Sequence, residues 1–550
     1  MALVLFIFSL ALNTRHNDFP YSYHPDEGGK TGQIIGGIRN YHHPLLMLSV
    51  TDIVSRVAFI PRERQPIVET GRWVSAAFAA GTVAVLALLA WLYYGAIAGW
   101  AAGIAVALQA DVFETAHYMK EDPALLFGLA LSLLAAALWW KFPNRRTLRF
   151  LGIACSVAIS GKYLGIEVLL FAVPIVLWHR AAESRIARKV RLKHFAIALG
   201  LTVVVCNLPL FATHLTSPFK SLGDEVERAA KGDRGLTRQV PHAEYLKNLW
   251  QNMPHVILAL AILYGLYLLI TARRRTPPEW ILFFFPLGYL AVISCSPKVA
   301  DRYLLPVSAT VPFLAVLGAA AICRLVHSEK SLASRMASGA ALLGIGVWIS
   351  ISEVPGLRRA FDGYQHDDPK AVAEWVTANL PHDAVIVEDH RVNLSPTKSE
   401  KRKKPAGKPK TAGEISTPDP GGTPEVIDGP QVSRKEGVLP PKVGLDFDPS
   451  TDARVPQTVY SPSSASEMGT LEQLQKNGVS YVAVCKQSYG RLFNDDKRPN
   501  EAVRVKVGKQ RDFYADVLEK GTLVHEWKPG KISYLQPGIK LFRITPAESQ

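Results

Sequence analysis

The sequence contains only five cysteines in 550 residues, with no CxxC pair and no regular spacing. This scarcity argues against a disulfide framework and against a zinc knuckle. The apolar start, residues 2–12, also lacks the basic region and the small-residue cleavage site of a signal peptide. We expect this segment to be the outer end of a first membrane-spanning helix.

An even distribution of charge is absent too. The chain carries 62 Lys+Arg and 47 Asp+Glu, a net charge of +15. Residues 1–352 hold 33 basic and 20 acidic residues, net +13, and residues 353–550 hold 29 and 27, net +2. The basic half is also the apolar half, which no soluble nucleic-acid-binding domain resembles. We therefore expect a lipid bilayer, and no nucleic acid, as a partner.

The apolar half has the pattern of a polytopic α-helical membrane protein. A transmembrane helix needs about 20 mostly apolar residues. Together with the N-terminal segment, ten apolar runs predict about eleven transmembrane helices. The runs are 74–94, 96–109, 124–140, 150–160, 164–178, 194–212, 256–271, 281–295, 303–323 and 336–351.

The positions of the basic residues predict the orientation. With the N-terminus in the cytoplasm, the inner loops 141–149, 179–193, 271–280 and 324–335 hold 16 basic and three acidic residues. Lys and Arg concentrate in cytoplasmic loops. We therefore expect a multi-pass protein of the cell (cytoplasmic or inner) membrane. An odd number of helices places the C-terminal part outside.

Residues 353–550 have the pattern of a C-terminal extracytoplasmic α/β domain. Helices are predicted over 368–380 and 470–477, and strands over 384–387, 481–485, 523–527 and 540–544. Residues 395–466 are rich in Lys, Pro, Gly, Ser and Thr and include KRKKPAGKPK. Such a composition predicts a disordered insertion, with a solvated loop favoured over contact with lipid or glycan.

Two acidic pairs lie in consecutive outer loops of the predicted transmembrane domain, 1–352. Asp26 and Glu27 lie in a long first loop, about 13–72, and Glu121 and Asp122 directly precede a predicted helix. Paired carboxylates can deprotonate a hydroxyl or hold a divalent cation. Asp122, followed by Pro123, also suits a helix start, whereas Asp26 and Glu27 lie in a loop flanked by Pro and Gly.

Basic residues are predicted on the same side. Lys162 lies in a tight outer turn (SGKYLG) and Arg302 at the outer start of a helix (DRYLLP). Arg suits a bidentate phosphate contact and Lys a point charge. The alternative for either residue is that its long side chain reaches from an apolar surface to the membrane interface.

In their order, these motifs resemble those of the GT-C glycosyltransferases. The similarity is strongest to protein O-mannosyltransferases (glycosyltransferase family 39) and lipid A aminoarabinose transferases. The motifs are His24-Pro25-Asp26-Glu27, His43-Pro44, Lys120 with Asp122, Lys162-Tyr163 with Gly165, and Arg302–Pro306. The chain departs from the usual pattern at Met119-Lys120, where an arginine is more common, and in the insertion.

The resemblance implies a reaction and roles for residues. A sugar would pass from a polyprenyl-phosphate donor to an extracytoplasmic protein, lipid or glycan, with inversion. Asp26 would be the general base, supported by Glu27 and Asp122. Lys162, Arg302, Tyr163 and Lys120 would bind the donor phosphate, with Glu121, His43 and His24 in support.

A divalent cation (Mg, Mn or Zn) is an alternative use of Asp26 and Asp122, and His42, His43 and His117 are candidate acceptor or metal contacts. Glu167 would pair with Lys162 or line the cavity.

Two other functions fit part of the pattern. A transporter or flippase of a lipid-linked sugar would share the helices and the outer charges, but it should also show internal repeats, which the sequence lacks. An inactive family member acting in envelope assembly would not need Asp26. We therefore favour an enzyme.

Overall fold

The computed structural model describes residues 1–179, 186–231, 236–238, 241–296, 299–326, 332–396, 447–450, 452–494, 497–499 and 501–544. The chain divides into two compact units. The first contains Met1–Asp367, Arg491–Val507 and Gly530–Gln536, and the second contains Asp368–Gly490, Gly508–Pro529 and Pro537–Gln550. The predicted domain boundary after Ser352 falls inside one continuous helix, Leu332–Tyr364.

The first unit is mostly helical. Two short strand pairs join its loops, Ile38–Arg39 with His214–Leu215 and Leu236–Arg238 with Lys497–Pro499. Its 3-10 segments are Tyr163–Val168, Ala272–Arg274 and Asp301–Leu304. Its α-helices are Ala2–Asn13, Pro25–Ile35, Leu46–Val57, Arg64–Tyr94, Ala96–Ala107, Ala110–Ala116, Asp122–Lys141, Arg145–Gly161, Leu169–Trp178, Arg188–Cys206, Pro218–Lys231, Pro241–Asn252, His255–Ile270, Pro277–Ser294, Leu305–Val326 and Leu332–Tyr364.

Local sequence explains where several of these helices begin. Asn144 and Thr276 each form a capping box with the residue three positions later, which satisfies free backbone N–H groups. Proline occupies the first turn of the helices Asp122–Lys141 and Pro277–Ser294, where its missing N–H costs nothing. Pro254 separates two helices that meet at 115°, because proline disfavours continuation of the preceding helix.

Every predicted apolar run lies mostly in a helix, although the run 194–212 is helical only to Cys206. Five helices in the described part of the chain are long and apolar enough to cross a membrane, and up to seven are if each of two bent helix pairs counts as one. Two apolar helices in this part of the chain are shorter, Ala2–Asn13 and Tyr163–Trp178. Membrane-protein character is therefore clear, whereas the count of eleven stays a prediction.

The first outer loop contains the helices Pro25–Ile35 and Leu46–Val57, and the next helix begins at Arg64. The predicted loop end at Arg72 stays a prediction, because a membrane-spanning helix can begin outside the bilayer. Arg72 lies two turns inside a helix and is fully buried, because it is neutralised there by a carboxylate.

The second unit is built on a five-stranded mixed sheet. The strand order is Thr458–Tyr460, Val385–Glu388, Tyr481–Cys485, Ile539–Arg543 and Thr522–Trp527. The first three strands are parallel and the last two antiparallel to their neighbours. The helices of this unit are Asp368–Asn379, Leu471–Lys476 and Lys486–Tyr489, and the helix Glu501–Lys520 ends in it.

The core of this unit explains why its predicted elements form. Val372 and Val376, one turn apart on the helix Asp368–Asn379, are buried in the same apolar cluster as Ile386 and Leu541 of the sheet. Alternation along strands and a one-turn spacing along the helix bring these side chains to one interface. The predicted helices and strands of this region agree with the observed ones within one or two residues.

The predicted insertion is wrong at its ends. Residues 452–466 are folded, since Thr458–Tyr460 is an edge strand of the sheet and Val455 and Val459 are buried. The Pro and Ser residues around this strand favour a loop, so its few apolar residues did not lead to a predicted strand. The basic run KRKKPAGKPK lies outside the described residues.

Candidate active site

Asp26 is presented by a short helix of the first outer loop. The helix Pro25–Ile35 begins after His24, whose Nδ1 accepts a hydrogen bond of 3.2 Å from the backbone N–H of Asp26. Pro25 at the first helical position fixes the start of the helix. The sequence His-Pro-Asp-Glu thus places Asp26 in the first turn, where the helix dipole favours a negative charge.

Asp26 forms an ion pair with Lys120. The Nζ of Lys120 lies 3.2 Å from Oδ2 of Asp26. Burial opposes ionisation of Asp26, but the positive charges of Lys120 and Lys30 outweigh it and hold the pKa of this carboxyl well below its usual range. Burial, together with the charge of Arg302, lowers the pKa of Lys120 to about 8. The pair therefore joins an ionised acid to an unusually acidic lysine.

Asp122 forms a second ion pair with Lys162. Lys162 Nζ donates a hydrogen bond of 2.7 Å to Asp122 Oδ1. Although burial disfavours the ammonium form, the charge of Asp122 raises the pKa of Lys162. Asp122 does not cap its helix with a side-chain hydrogen bond, so the capping alternative does not account for this residue.

A glycine-bounded turn brings Lys162 to Asp122. Lys162 ends the helix Arg145–Gly161 with extended backbone and starts the 3-10 segment Tyr163–Val168. A Cβ on Gly161 would collide with the backbone of Ala124 and Leu125, and a Cβ on Gly165 with the backbone of Ala158. Only glycine permits this close approach of the turn to the start of the neighbouring helix.

Arg302 and Tyr303 complete the positive side of the site. The Lys162 ammonium lies 4.6 Å from the centre of the Tyr303 ring, and the Arg302 guanidinium 5.5 Å from it. Both distances are typical of cation–π contacts. Arg302 also lies within electrostatic range of Asp26 and Asp122. We call Asp26, Lys120, Asp122, Lys162 and Arg302 the charged cluster.

Glu27, predicted to support Asp26 in catalysis, pairs with Arg72. It is fully buried, and its two oxygens accept hydrogen bonds from Arg72 Nε (3.0 Å), Arg72 Nη2 (2.6 Å) and the Met119 N–H (2.9 Å). A bidentate pair with a guanidinium fixes the orientation of a carboxylate. Glu27 instead fixes the helix of Asp26 to the loop that carries Lys120.

Glu121 and Lys30 form a third, buried pair. Lys30 Nζ donates to Glu121 Oε2 at 2.6 Å and to the Met119 carbonyl at 2.9 Å. The positive charge of Lys30 lowers the pKa of Glu121 in spite of its burial. Because Lys30 lies one turn after Asp26, this pair is a second link between the same helix and loop. The supporting role of Glu121 in donor binding stays a prediction.

The predicted histidines have different environments. Burial lowers the pKa of His24 well below its usual value, and its ring lies 4.8 Å from that of Tyr118. Burial also lowers the pKa of His43, which lies near Glu121 and Lys30. His117 does not fit the predicted acceptor or metal contact, because its ring nitrogens face the Phe113 and Arg15 carbonyls at 2.7 and 2.8 Å.

Two further residues of the tight turn differ from expectation. The Tyr163 hydroxyl donates a hydrogen bond of 2.8 Å to the Tyr41 carbonyl, so it links the turn to the first outer loop and is not directed at a phosphate by this contact. Glu167 does not pair with Lys162, since Lys162 pairs with Asp122.

The donor groups do not fit the predicted divalent cation. Among the residues that the structure describes, no three His, Cys, Asp or Glu side chains come close enough together to hold a metal ion. Asp26 and Asp122 each face a lysine, which supplies the positive charge that a cation would bring.

Three residues of the site were missed in the sequence. Arg72 and Lys30 neutralise buried carboxylates, and Tyr303 holds two cations against its ring. Lys30 follows Asp26 by four residues, a spacing that places both on one side of a helix. That spacing could have singled out Lys30. Arg72 lies at the end of an apolar run and carried no comparable signal.

The central part of the chain matches a known family. Residues 66–215 match the family described as dolichyl-phosphate-mannose-protein mannosyltransferase. The matched segment includes Arg72, Lys120, Glu121, Asp122, Lys162 and Tyr163. A comparison with the curated proteins gives no significant match.

Several solved structures are similar at low sequence identity. ArnT from Cupriavidus metallidurans bound to undecaprenyl phosphate is 15% identical over 71% of this chain and 82% of that chain, with a TM-score of 0.44. The apo oligosaccharyltransferase of Archaeoglobus fulgidus is 10% identical over 89% and 70%, with a TM-score of 0.49. The S. cerevisiae protein O-mannosyltransferase Pmt1–Pmt2 complex bound to the sugar donor is 16% identical over 38% and 32%, with a TM-score of 0.31.

The apolar helices are those of a multi-pass membrane protein. The charged cluster brings five ionisable side chains of this protein together at one site. The family match then confirms the predicted resemblance to the GT-C glycosyltransferases of the protein O-mannosyltransferase group. It supports transferase activity and does not favour a transporter or an inactive member.

Proposed function

We propose that this protein is a membrane glycosyltransferase that moves a sugar from a polyprenyl-phosphate donor to an extracytoplasmic acceptor, with inversion. The observation that carries the proposal is the charged cluster, in which a half-exposed Asp26 and a buried Asp122 meet Lys120, Lys162 and Arg302. A mannosyl donor is the first candidate, since residues 66–215 match a mannosyltransferase family named for dolichyl-phosphate-mannose.

The charge balance of the cluster suits a phosphodiester. Three cations face two carboxylates, which leaves one positive charge for the single negative charge of a sugar–phosphate–lipid donor. When the bond between the sugar and the phosphate oxygen breaks, its electron pair stays on that oxygen and the leaving group gains a second negative charge. Fixed cations at the point where charge develops lower the barrier. Lys162 and Arg302 are the cations that we assign to this role.

Asp26 is the group that we assign as general base. Its side chain is 48% exposed, whereas that of Lys120 is 6% exposed, so an acceptor can reach the carboxylate. In the proposed step the acceptor hydroxyl oxygen attacks the anomeric carbon opposite the phosphate, and Asp26 takes the hydroxyl proton. A positioned base contributes about 10²–10⁴-fold to such a step.

The ion pair with Lys120 keeps this base weak until the donor binds. A carboxylate whose pKa is far below neutrality is a poor base. A bound phosphate would share the positive charge of Lys120 and Arg302, and the pKa of Asp26 would rise, because less positive charge would stabilise its ionised form. Donor binding thus strengthens the base at the moment when it is needed.

The orientation of the protein completes the proposal. The excess of basic residues in the loops 141–149, 179–193, 271–280 and 324–335 supports a cytoplasmic N-terminus and an outer site in the cell membrane. The acceptor would then be a protein, lipid or envelope glycan on the outer side.

The experiment uses the full chain in lipid nanodiscs with radiolabelled mannosyl undecaprenyl phosphate and candidate acceptors. The proposal expects release of undecaprenyl phosphate together with a labelled acceptor in the wild type, and loss of both in Asp26→Asn. In sealed vesicles, movement of intact donor across the bilayer without release of the phosphate would instead identify a transporter.

A further inference from the structure

Glu167 is a buried acid that the proposed reaction does not use. It lies in the 3-10 segment Tyr163–Val168, five residues after Lys162, and its exposure is 8%. Acidic residues within membrane-embedded helices are costly and face the interior of the protein or a cavity. The position therefore calls for a partner.

The expected partner is already engaged. Lys162 donates to Asp122 at 2.7 Å, and Oε1 of Glu167 has no hydrogen-bond partner among the described residues. Buried polar atoms in native proteins are nearly always paired with protein, water or ligand. The unpaired oxygen of Glu167 can thus accept a hydrogen bond from water or from a bound ligand, and its surroundings decide between the two.

The surroundings of Glu167 connect it with the charged cluster. Tyr289, which is buried, lies within electrostatic range of Glu167, Asp122, Tyr245 and Tyr303. Tyr303 in turn lies under the Lys162 ammonium. Glu167 is therefore linked through Tyr289 and Tyr303 to Lys162, one of the cations assigned to the donor phosphate.

We infer that Glu167 forms the polar part of a subsite for the sugar ring of the donor, with Tyr289 beside it. This inference rests on the proposed function and deepens it. The sugar is bonded directly to the phosphate, so its ring must lie next to the cations that hold that phosphate. A carboxyl oxygen accepts hydrogen bonds from sugar hydroxyl or amino groups, and aromatic walls with a few polar groups are typical of small-molecule sites. The polyprenyl chain has no polar hydrogen to satisfy Glu167.

The test compares donors with and without a sugar. Dissociation constants are measured for the full chain in nanodiscs with undecaprenyl phosphate and with its mannosyl, glucosyl and aminoarabinosyl esters. We expect Glu167→Leu to weaken the tightest-bound glycosylated donor by about 2–10-fold, since a buried hydrogen bond is lost, and to leave undecaprenyl phosphate unchanged. Glu167→Gln, which keeps the shape and one acceptor, should have a smaller effect.

Glu353→Leu is the matched control. Glu353 is also buried, with Oε1 unpartnered among the described residues, but its electrostatic neighbour is Asp111 and not the charged cluster. The Glu353→Leu variant should bind all four lipids like the wild type. An equal loss of bare and glycosylated lipid in Glu167→Leu, or no loss of either, would overturn the subsite. So would a wild type that binds no ester more tightly than the bare lipid. Failure of the wild type to bind undecaprenyl phosphate at all would instead count against the proposed function.

Discussion

The Nζ of Lys120 lies 3.2 Å from Oδ2 of Asp26, yet the lysine side chain is 6% exposed and the aspartate 48%. The cation is thus enclosed by protein, while the carboxylate keeps an open side. This asymmetry makes Asp26 the accessible member of the pair and Lys120 the member that sets its pKa.

Replacing the proposed base should abolish transfer without unfolding the protein. Asp26→Asn keeps the size of the side chain but cannot accept the acceptor proton, so we expect kcat to fall by about 10²–10⁴-fold. Steady-state transfer from mannosyl undecaprenyl phosphate measures this. Asp18→Asn, an exposed change in the same loop, should behave as the wild type. Unchanged turnover in Asp26→Asn would remove Asp26 from the mechanism.

The acidic lysine should limit activity at high pH. Because the pKa of Lys120 is about 8, the free enzyme loses this positive charge as the pH rises through that value, and its attraction for the donor phosphate weakens. We expect kcat/KM to decline above about pH 8. In Lys120→Arg the guanidinium stays charged, so the decline should move to higher pH. An alkaline limb at the same pH in both proteins would show that another group causes it.

Removing the charge of Lys120 should instead alter the acid side of the profile. The lysine helps to hold the pKa of Asp26 well below its usual range. In Lys120→Gln that opposite charge is gone, so the pKa of Asp26 rises and the base is protonated at a higher pH. The acid limb of kcat/KM should therefore shift upward relative to the wild type. A limb that stays in place would separate Lys120 from the titration of Asp26.

The charged groups of the site were more predictable than their pairing. Asp122, Lys162 and Arg302 stood out as charged residues beside apolar runs, and Asp26 as one of an acidic pair in a long outer loop. Which cation meets which carboxylate depends on contacts between distant segments, such as Lys162 with Asp122 across 40 residues. Nothing local in the sequence encodes such a pairing. Glu27 was assigned to catalysis because its partner Arg72 lies 45 residues away and could not be recognised from the sequence.

The fold shows the same difference between local and distant information. The edge strand Thr458–Tyr460 is only three residues long, and its stability comes from pairing with Val385–Val387. Its flanking residues favour loops, so composition alone predicted disorder. The strand Tyr481–Cys485 was predicted with its observed bounds, because five consecutive residues of an interior strand are almost all buried and apolar.

The Glu27–Arg72 pair should be required for stability. Both side chains are fully buried, and Arg72 also donates to the Asn17 and Phe19 carbonyls. Glu27→Gln leaves the guanidinium buried without its counter-charge, so we expect a loss of about 3–5 kcal/mol in the free energy of unfolding. Thermal unfolding in detergent measures it. Glu69 lies on the helix of Arg72, at a partly exposed position. Glu69→Gln should change stability by less than about 0.5 kcal/mol.

Removing the Lys30–Glu121 pair should affect activity more than stability. The pair positions Lys120, and its two members can be removed together. Lys30→Met or Glu121→Leu alone leaves one buried charge unpaired and should cost about 3–5 kcal/mol in unfolding free energy. The double variant has no unpaired charge, and apolar side chains of similar size often replace a buried pair without loss. We therefore expect its stability to return close to that of the wild type. Its kcat should nevertheless stay low, because the helix of Asp26 has lost a link to the loop of Lys120. A double variant with the summed destabilisation of the single variants would show that the two residues act independently, and full activity in it would show that the pair does not position the site.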